Sequence, residues 1–123
     1  MTQAVAAVLV VRASAFRDAL ESNLRPPAFR IVASTARLID ISRGELPGSE
    51  RYLIVIECSE SPDLHTAQVA EHRQQNPLAR IALVGQHWTP PDIATAFEAG
   101  ANAYFAEAAV SKEFMQAMNL ITR

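Results

Sequence analysis

The chain has 123 residues, half of them hydrophobic, and a formal net charge of -2. This length fits one globular domain spanning residues 1–123, and the lack of clustered basic residues disfavours nucleic-acid binding by this segment. The single cysteine, Cys58, excludes an internal disulfide and fits the reducing cytoplasm. The apolar run at residues 4–11 is too short to span a bilayer, so we expect no membrane attachment.

Five short apolar runs, several rich in β-branched residues, predict strands. The third run is the most informative, because residues 53–56 are continuously apolar and Glu57 follows them directly. An unbroken run suits a strand buried on both faces. A carboxylate at the carboxyl end of such a strand lies where open α/β sheets place ligands, so Glu57 marks a candidate site. The predicted strands cover residues 4–11, 29–33, 51–57, 80–84 and 102–106.

Capping residues and helical spacing predict helices between the strands. Ser61 and Thr89 are strong starts, because each is followed by proline and each can accept a bond from the first turn. Ser14 and Ser111 are predicted caps of the first and last helices, and Gly100 is a natural terminator. Residues 44–50 are predicted to form a turn. The predicted helices cover residues 15–25, 35–43 and 62–75, then a segment from the Thr89 cap to Ala99, and one from the Ser111 cap through Ile121.

Strand and helix alternate five times along the chain. That alternation favours parallel strands with right-handed crossovers, and hence a three-layer α/β/α doubly wound sheet. Every strand-to-helix loop then lies at the same end of the sheet. Four residues at the carboxyl ends of the first, third, fourth and fifth strands should therefore lie at a common edge. They are Arg12, Glu57, Gly85 and Glu107.

The segments at residues 79–84 and 98–104 resemble the receiver domain of bacterial two-component response regulators, and residues 8–11 look like its first strand. The resemblance is nearest to receivers that precede a LuxR-type helix-turn-helix domain, and it covers essentially the whole chain. It implies a flavodoxin-like five-stranded sheet with the order 2-1-3-4-5. It also implies a role in phosphorelay signal transduction and transcription regulation.

The chain departs from this family where the family keeps its phosphorylation chemistry. Receivers carry a pair of acidic residues after the first strand, which hold Mg²⁺. Here that pair falls on Arg12 and Ala13, or on Val11 and Arg12 if the loop is not shortened. The phosphoacceptor aspartate at the end of the third strand corresponds to Glu57, which we interpret as a degenerate phosphoacceptor position.

The other side of the pocket differs as well. The hydroxyl residue that senses the phosphoryl group falls on Gly85, and the lysine at the end of the fifth strand falls on Glu107. The aromatic switch position is kept as Tyr104, although that residue can also be an ordinary strand residue with an exposed hydroxyl. Because phosphoryl transfer depends on positioning and charge, conventional phosphorylation is disfavoured.

The charge is opposite to that of the resembled family at two positions of the pocket: Arg12 stands in place of an acid, and Glu107 stands in place of a base. One hypothesis is that Arg12 occupies the place of the metal and pairs with Glu57, Glu107 or both, since a guanidinium matches a carboxylate. The alternative is that both groups are solvated. Glu57 is interpreted either as the remnant of a lost site or as a permanent mimic of the phosphorylated state.

The sequence thus predicts a pseudo-receiver without enzymatic activity, catalytic residues, cofactor or metal. We expect it to act through a protein partner or as a homodimer. The resemblance implies the face of the fourth helix, fifth strand and fifth helix, or that of the first and fifth helices. The resemblance also implies a C-terminal DNA-binding domain in a longer protein. The alternatives are a receiver with an unusual acceptor and a small flavodoxin-like ligand-binding protein, although no glycine-rich phosphate loop follows the first strand.

Other reactive residue types give weaker signals. Cys58 should be an unreactive thiol, because nearby carboxylates raise its pKa. The three histidines, His65, His72 and His87, do not have the spacing of a metal site. Trp88, the single tryptophan, is either a partner contact or packs over the following helix.

Overall fold

A computed structural model of the chain describes residues 4–41, 46, 51–107 and 112–122. Within them, five parallel strands form one sheet in the predicted order 2-1-3-4-5. No described helix has both the length and the apolar composition needed to cross a membrane. The strands are β1 (Val5–Val10), β2 (Phe29–Thr35), β3 (Tyr52–Cys58), β4 (Ala79–Gly85) and β5 (Ala103–Ala106). The α-helices are α1 (Ser14–Asn23), α2 (Pro62–Gln75), α3 (Pro90–Ala99) and α4 (Lys112–Ile121).

The helix predicted at residues 35–43 is wrong as far as the described residues extend. Thr35 still belongs to β2, and only Leu38–Asp40 form a single 3₁₀ turn. Leu38 and Ile41 both pack on the core, three residues apart, whereas Ile39 is 83% exposed. This spacing suggested a helix, but the backbone is extended at Arg37 and at Ile41, so only one turn separates the two packed residues.

Of the predicted helix caps, two are confirmed and Ser14 is wrong. Ser14 is the first residue of α1 and not its cap, because Ala13 takes the N-cap position without a side-chain bond. The predicted Ser111 cap and the turn at 44–50 lie outside the described residues, apart from Leu46. The caps of α2 and α3 are confirmed: the Ser61 side chain accepts the Leu64 N–H, and Thr89 forms a capping box with its helix.

The core lies on both faces of the sheet, with β3 at its centre. All four residues of 53–56 are buried, and alternate ones face opposite sides, as strand geometry requires. One side packs with Val69 of α2 and Ala96 of α3. The other packs with Leu20 of α1 and Phe114 of α4. This confirms the central buried strand and places its acidic tip at the carboxyl edge.

The amino edge of the sheet is held by Arg73 of α2. Its guanidinium donates to the carbonyl oxygens of Ala79 (2.7 Å) and Gly100 (2.9 Å) and to Asn102 Oδ1 (2.8 Å). Two further carbonyls of the α2–β4 turn also accept from it. Asn102 Oδ1 accepts the Ile81 N–H as well. One side chain therefore ties α2, the start of β4 and the α3–β5 junction together.

Gly100 is needed at this junction for two reasons. Its φ is 124°, which side-chain-bearing residues rarely adopt. A Cβ there would also lie 2.7 Å from Cγ of Arg73. The glycine that ends α3 thus makes room for the arginine that fastens the junction.

We expect Arg73→Ala to lower the free energy of unfolding by about 2–4 kcal/mol, because several carbonyls lose their charged donor at once. Arg73→Lys should fall between this variant and the wild type, since an ammonium cannot reproduce the fork. Urea unfolding measures the loss, with Gln74→Ala on the exposed face of the same helix as the control. A loss for Arg73→Ala no larger than that of the control would contradict the role assigned to this network.

Candidate functional site

The carboxyl ends of the strands meet at one edge, where the predicted site residues lie. Strand register pairs Val10 with Ile56, and Cys58 with Gly85. Gly85 in turn pairs with Ala106. The residues that follow these positions therefore share one edge, as the topology predicted, but their side chains form separate contacts.

Glu57 is bonded to the backbone of the loop that follows β1. Its Oε1 accepts the N–H of Arg12 at 2.8 Å and the N–H of Ala13 at 3.3 Å. We call this pair of hydrogen bonds the Glu57 bridge. It joins the tip of β3 to the segment where the resemblance places the metal-binding acids, so one carboxylate links two loops without a cation.

Arg12 forms a guanidinium–carboxylate contact, but its partner is not one of the two predicted glutamates. Arg12 Nη2 lies 3.1 Å from Oε1 of Glu60, and the structure shows no guanidinium contact with Glu57 or Glu107 among the described residues. The reason is that Glu57 is already engaged by the backbone. Both partners of the Arg12–Glu60 pair are about half exposed, so it contributes only about 0–1 kcal/mol.

Glu107 takes part in a second, separate contact. Its Oε2 accepts from Nε2 of Gln86 at 2.7 Å. This bond connects the β4–α3 loop with the end of β5. The two reversed charges, Arg12 and Glu107, thus belong to different pairs and do not form one cluster. Sequence reasoning missed both Glu60 and Gln86, although Glu60 lies two residues after β3 and Gln86 directly follows β4 at the same edge.

Aromatic side chains close the β4 side of the edge. The rings of Trp88 and Tyr104 stack with centroids 5.3 Å apart and planes at 21°. His65 also lies near Trp88, with ring centroids 6.4 Å apart and planes at 40°. Trp88 is therefore half-buried inside this edge, which favours the packing interpretation of the tryptophan over an exposed contact.

The protonation state of His65 follows from its hydrogen bonds. Its Nε2 accepts the Glu60 N–H at 3.1 Å, so that nitrogen carries no proton, and Nδ1–H donates to Oε1 of Gln68 at 3.1 Å. Burial lowers the pKa of His65, and the positive charge of Arg12 lowers it further. The Gln68 bond and the Glu60 charge act in the opposite direction. Protonation at Nε2 would break the bond that orders the β3–α2 loop.

Cys58, the last residue of β3, is buried. Burial is the main reason that its pKa rises to about 12, and the charge of Glu57 adds less. The thiol therefore stays protonated and weakly nucleophilic, as the sequence predicted. The dominant cause is burial and not the neighbouring carboxylate.

The residues at this edge do not fit the Mg²⁺ ion that the resemblance implies. The segment after β1 offers a guanidinium and backbone N–H groups, whereas Mg²⁺ requires oxygen ligands. The one carboxylate in place, Glu57, is turned toward those N–H groups. Within the described residues, no group of three or more histidine, cysteine or acidic side chains could hold a metal ion.

A cleft of about 270 Å³ opens beside Glu57, with Val10 and Ile56 at its floor. Its two arginines are each paired with a nearby acid: Arg12 with Glu60 and Arg37 with Asp40. The cleft is at the small end of ligand-binding pockets. The arginines of its lining are thus already engaged by acids of the same chain.

The Glu57 bridge predicts a specific order of stability among variants. Glu57→Asp should lose about 1–2 kcal/mol, because the shorter side chain cannot reach the two N–H groups. Glu57→Gln should lose less, since its carbonyl oxygen can still accept both bonds. Urea unfolding and amide hydrogen exchange at Arg12 and Ala13 report the effect, with Glu71→Gln as an exposed control. Equal stability of the aspartate and glutamine variants would contradict the bridge.

The buried histidines predict acid destabilisation. Burial lowers the pKa of both His65 and His72 in the folded state. Below the ordinary histidine pKa of about 6.5, the unfolded chain takes up protons that the folded chain does not, so stability falls as pH falls. Each histidine contributes at most about 1.4 kcal/mol per pH unit. His65→Gln should flatten the dependence of unfolding free energy on pH between 7.5 and 5.5.

The matched control for this experiment is His87→Asn at an exposed loop position, where asparagine tolerates the positive φ of 63°. If His65→Gln and the wild type lose stability in parallel, the assignment of His65 as a buried neutral group is wrong.

No protein-family model matches the chain, and no curated protein matches it. Several solved structures do. A LuxR-family two-component response regulator from an Aurantimonas species is 23% identical, with 97% of this chain and 85% of that chain covered and a TM-score of 0.80. A response regulator from Thermotoga maritima is 12% identical, with 97% and 98% covered and a TM-score of 0.81.

An orphan response regulator of H. pylori is also similar. It is 19% identical, both chains are covered completely, and the TM-score is 0.78. The three structures superimpose on nearly the whole of this chain, whose sheet has the order 2-1-3-4-5. The chain therefore has the flavodoxin-like receiver fold of response regulators.

Proposed function

We propose that the chain is a receiver-like signalling module that works without phosphoryl transfer and acts through protein–protein contacts. The observation that carries this proposal is the Glu57 bridge. The side chain at the phosphoacceptor position is engaged by the backbone N–H groups of Arg12 and Ala13. It is thereby withdrawn from the role of acceptor.

Three requirements of aspartyl phosphorylation are missing together. An acceptor oxygen must be free for in-line attack, a divalent cation must bind, and a cation must stabilise the transferred charge. Glu57 is bonded to the loop, the segment after β1 supplies no carboxylate, and Glu107 places an acid at the lysine position. Glu107 is moreover bonded to Gln86. No catalytic residue, cofactor or metal is part of the proposal.

The Glu57 bridge also weighs against the idea that Glu57 mimics a phosphorylated aspartate. A mimic must present its negative charge to groups that change conformation in response. Here the charge is directed to two N–H groups of the neighbouring loop, and Gly85 has no hydroxyl to respond. The remnant of a lost site, reused as a structural bridge, is the better interpretation.

Protein contacts are the remaining way for such a module to act. The resemblance implies the α3–β5–α4 face or the α1–α4 face for a partner or a second copy of the chain. Phe97 of α3 and Leu120 of α4 are large exposed hydrophobic side chains on these elements. We further propose a cytoplasmic location and a role in transcription regulation, with a DNA-binding domain in the longer protein.

Two other functions are less well supported. A receiver with an unusual acceptor would need a free carboxylate beside a metal, and the described residues contain no metal-binding group. A flavodoxin-like ligand-binding protein would need a pocket with unpaired polar groups. The arginines of the cleft beside Glu57 are instead paired with Glu60 and Asp40.

Incubation with acetyl phosphate and Mg²⁺ tests the proposal directly. We expect intact mass spectrometry to show no phosphorylated species for the wild type, because the acceptor and the metal site are both missing. Glu57→Asp is the matched variant, since it restores the acceptor type but not the metal ligands, and it should remain unmodified as well.

A receiver with an intact acidic pair serves as the positive control for the phosphodonor. A stoichiometric phosphoryl adduct on the wild-type chain would refute the proposal. Its position, mapped by fragmentation, would then identify the unusual acceptor.

A further inference from the structure

Gly85 leaves a space that Tyr104 fills. A Cβ at this position would lie 3.2 Å from the Tyr104 hydroxyl oxygen, 3.4 Å from its Cε2 and 3.2 Å from Cβ of Cys58. The first and last distances are shorter than most real Cβ contacts. The φ of Gly85 lies outside the positive region, so its backbone accepts any residue type. Space, and not backbone conformation, is therefore what a side chain at 85 would take away.

The Tyr104 ring reaches this space as part of an aromatic stack. It packs against Trp88 at 5.3 Å, and Trp88 in turn packs against His65 of α2 at 6.4 Å. The residue before Trp88, His87, has a φ of 63°, which turns the chain sharply into the stack. The three rings thus connect β5, the β4–α3 loop and α2.

We propose that Gly85, Tyr104, Trp88 and His65 form a permanent latch, in which the missing side chain at position 85 lets Tyr104 close against β4. The stack then holds the β4–α3 loop and β5 in one arrangement. A Cβ at position 85 would require its neighbours to shift by a few tenths of an ångström. The further atoms of a threonine would push the Tyr104 ring farther, because the other neighbour, Cys58, is buried within β3. Removing the ring from this space would leave Trp88 without its stacking partner.

The latch depends only on packing and hydrogen bonding, so it does not rest on the proposed absence of phosphorylation. Offset and tilted aromatic pairs at these distances are favourable beyond the area that they bury. The latch also includes His65, whose neutral ring accepts the Glu60 N–H. The aromatic stack is thereby connected to the β3–α2 loop through Glu60, the acid that pairs with Arg12.

Trp88 is the only tryptophan, so its fluorescence reports on the latch alone. In Gly85→Thr we expect emission at longer wavelength and an acrylamide quenching constant larger by about twofold, because the indole loses one covered face. Tyr104→Phe is the matched control, since it removes the hydroxyl near position 85 and keeps the stacking ring. Its Trp88 emission should stay close to that of the wild type.

A double-mutant cycle covers the case in which Gly85→Thr does not fold. Gly85→Ala should lower the Tm by several degrees in the wild type and by less in the Tyr104→Phe background, because the crowded hydroxyl is gone. The contact with Cys58 is common to both backgrounds and cancels in the cycle. A folded Gly85→Thr protein with unchanged emission and quenching would overturn the latch. So would a Gly85→Ala effect that is equal in the two backgrounds.

Discussion

The carboxylate of Glu57 accepts two backbone hydrogen bonds, and the β1–β3 half of the candidate site depends on this constraint. Because its Oε1 is bonded to the N–H groups of Arg12 and Ala13, the loop after β1 is fixed against the tip of β3. The Arg12 guanidinium is then left to pair with Glu60 at the surface. A glutamate reaches one methylene farther than an aspartate, and this extra length is what allows contact with a loop that a metal would otherwise connect.

The two edges of the sheet are fixed by different physical means. At the amino edge, Arg73 donates to several carbonyls, and Gly100 makes room for it. At the carboxyl edge, a carboxylate accepts from N–H groups, and aromatic rings fill the space beside Gly85. A Cβ at Gly100 would lie 2.7 Å from Arg73, whereas a Cβ at Gly85 would crowd Tyr104 at 3.2 Å. The strands between these edges are held by ordinary apolar packing.

Local signals in the sequence predicted most of the fold. The run at 53–56 and the caps at Ser61 and Thr89 depend on neighbouring residues alone, and all three are confirmed. The prediction failed where the partner lies far along the chain or belongs to the backbone. The Glu57 bridge uses main-chain donors 44 and 45 residues away, which no side-chain pattern encodes. The helix expected at 35–43 is a single turn, because Leu38 and Ile41 reach the core from a segment whose backbone is extended at Arg37 and Ile41.

The Glu57 bridge also differs from an ion-binding site in how its contribution to stability depends on the concentration of a ligand. A site that is assembled by a bound ion gains stability in proportion to the logarithm of the ion concentration, since the ion binds only the folded chain. Here both partners of the bond are covalently part of the same polypeptide, so their effective concentration is fixed by the fold. The Glu57 bridge therefore requires no second molecule, and it forms together with the strand and loop that carry its two ends.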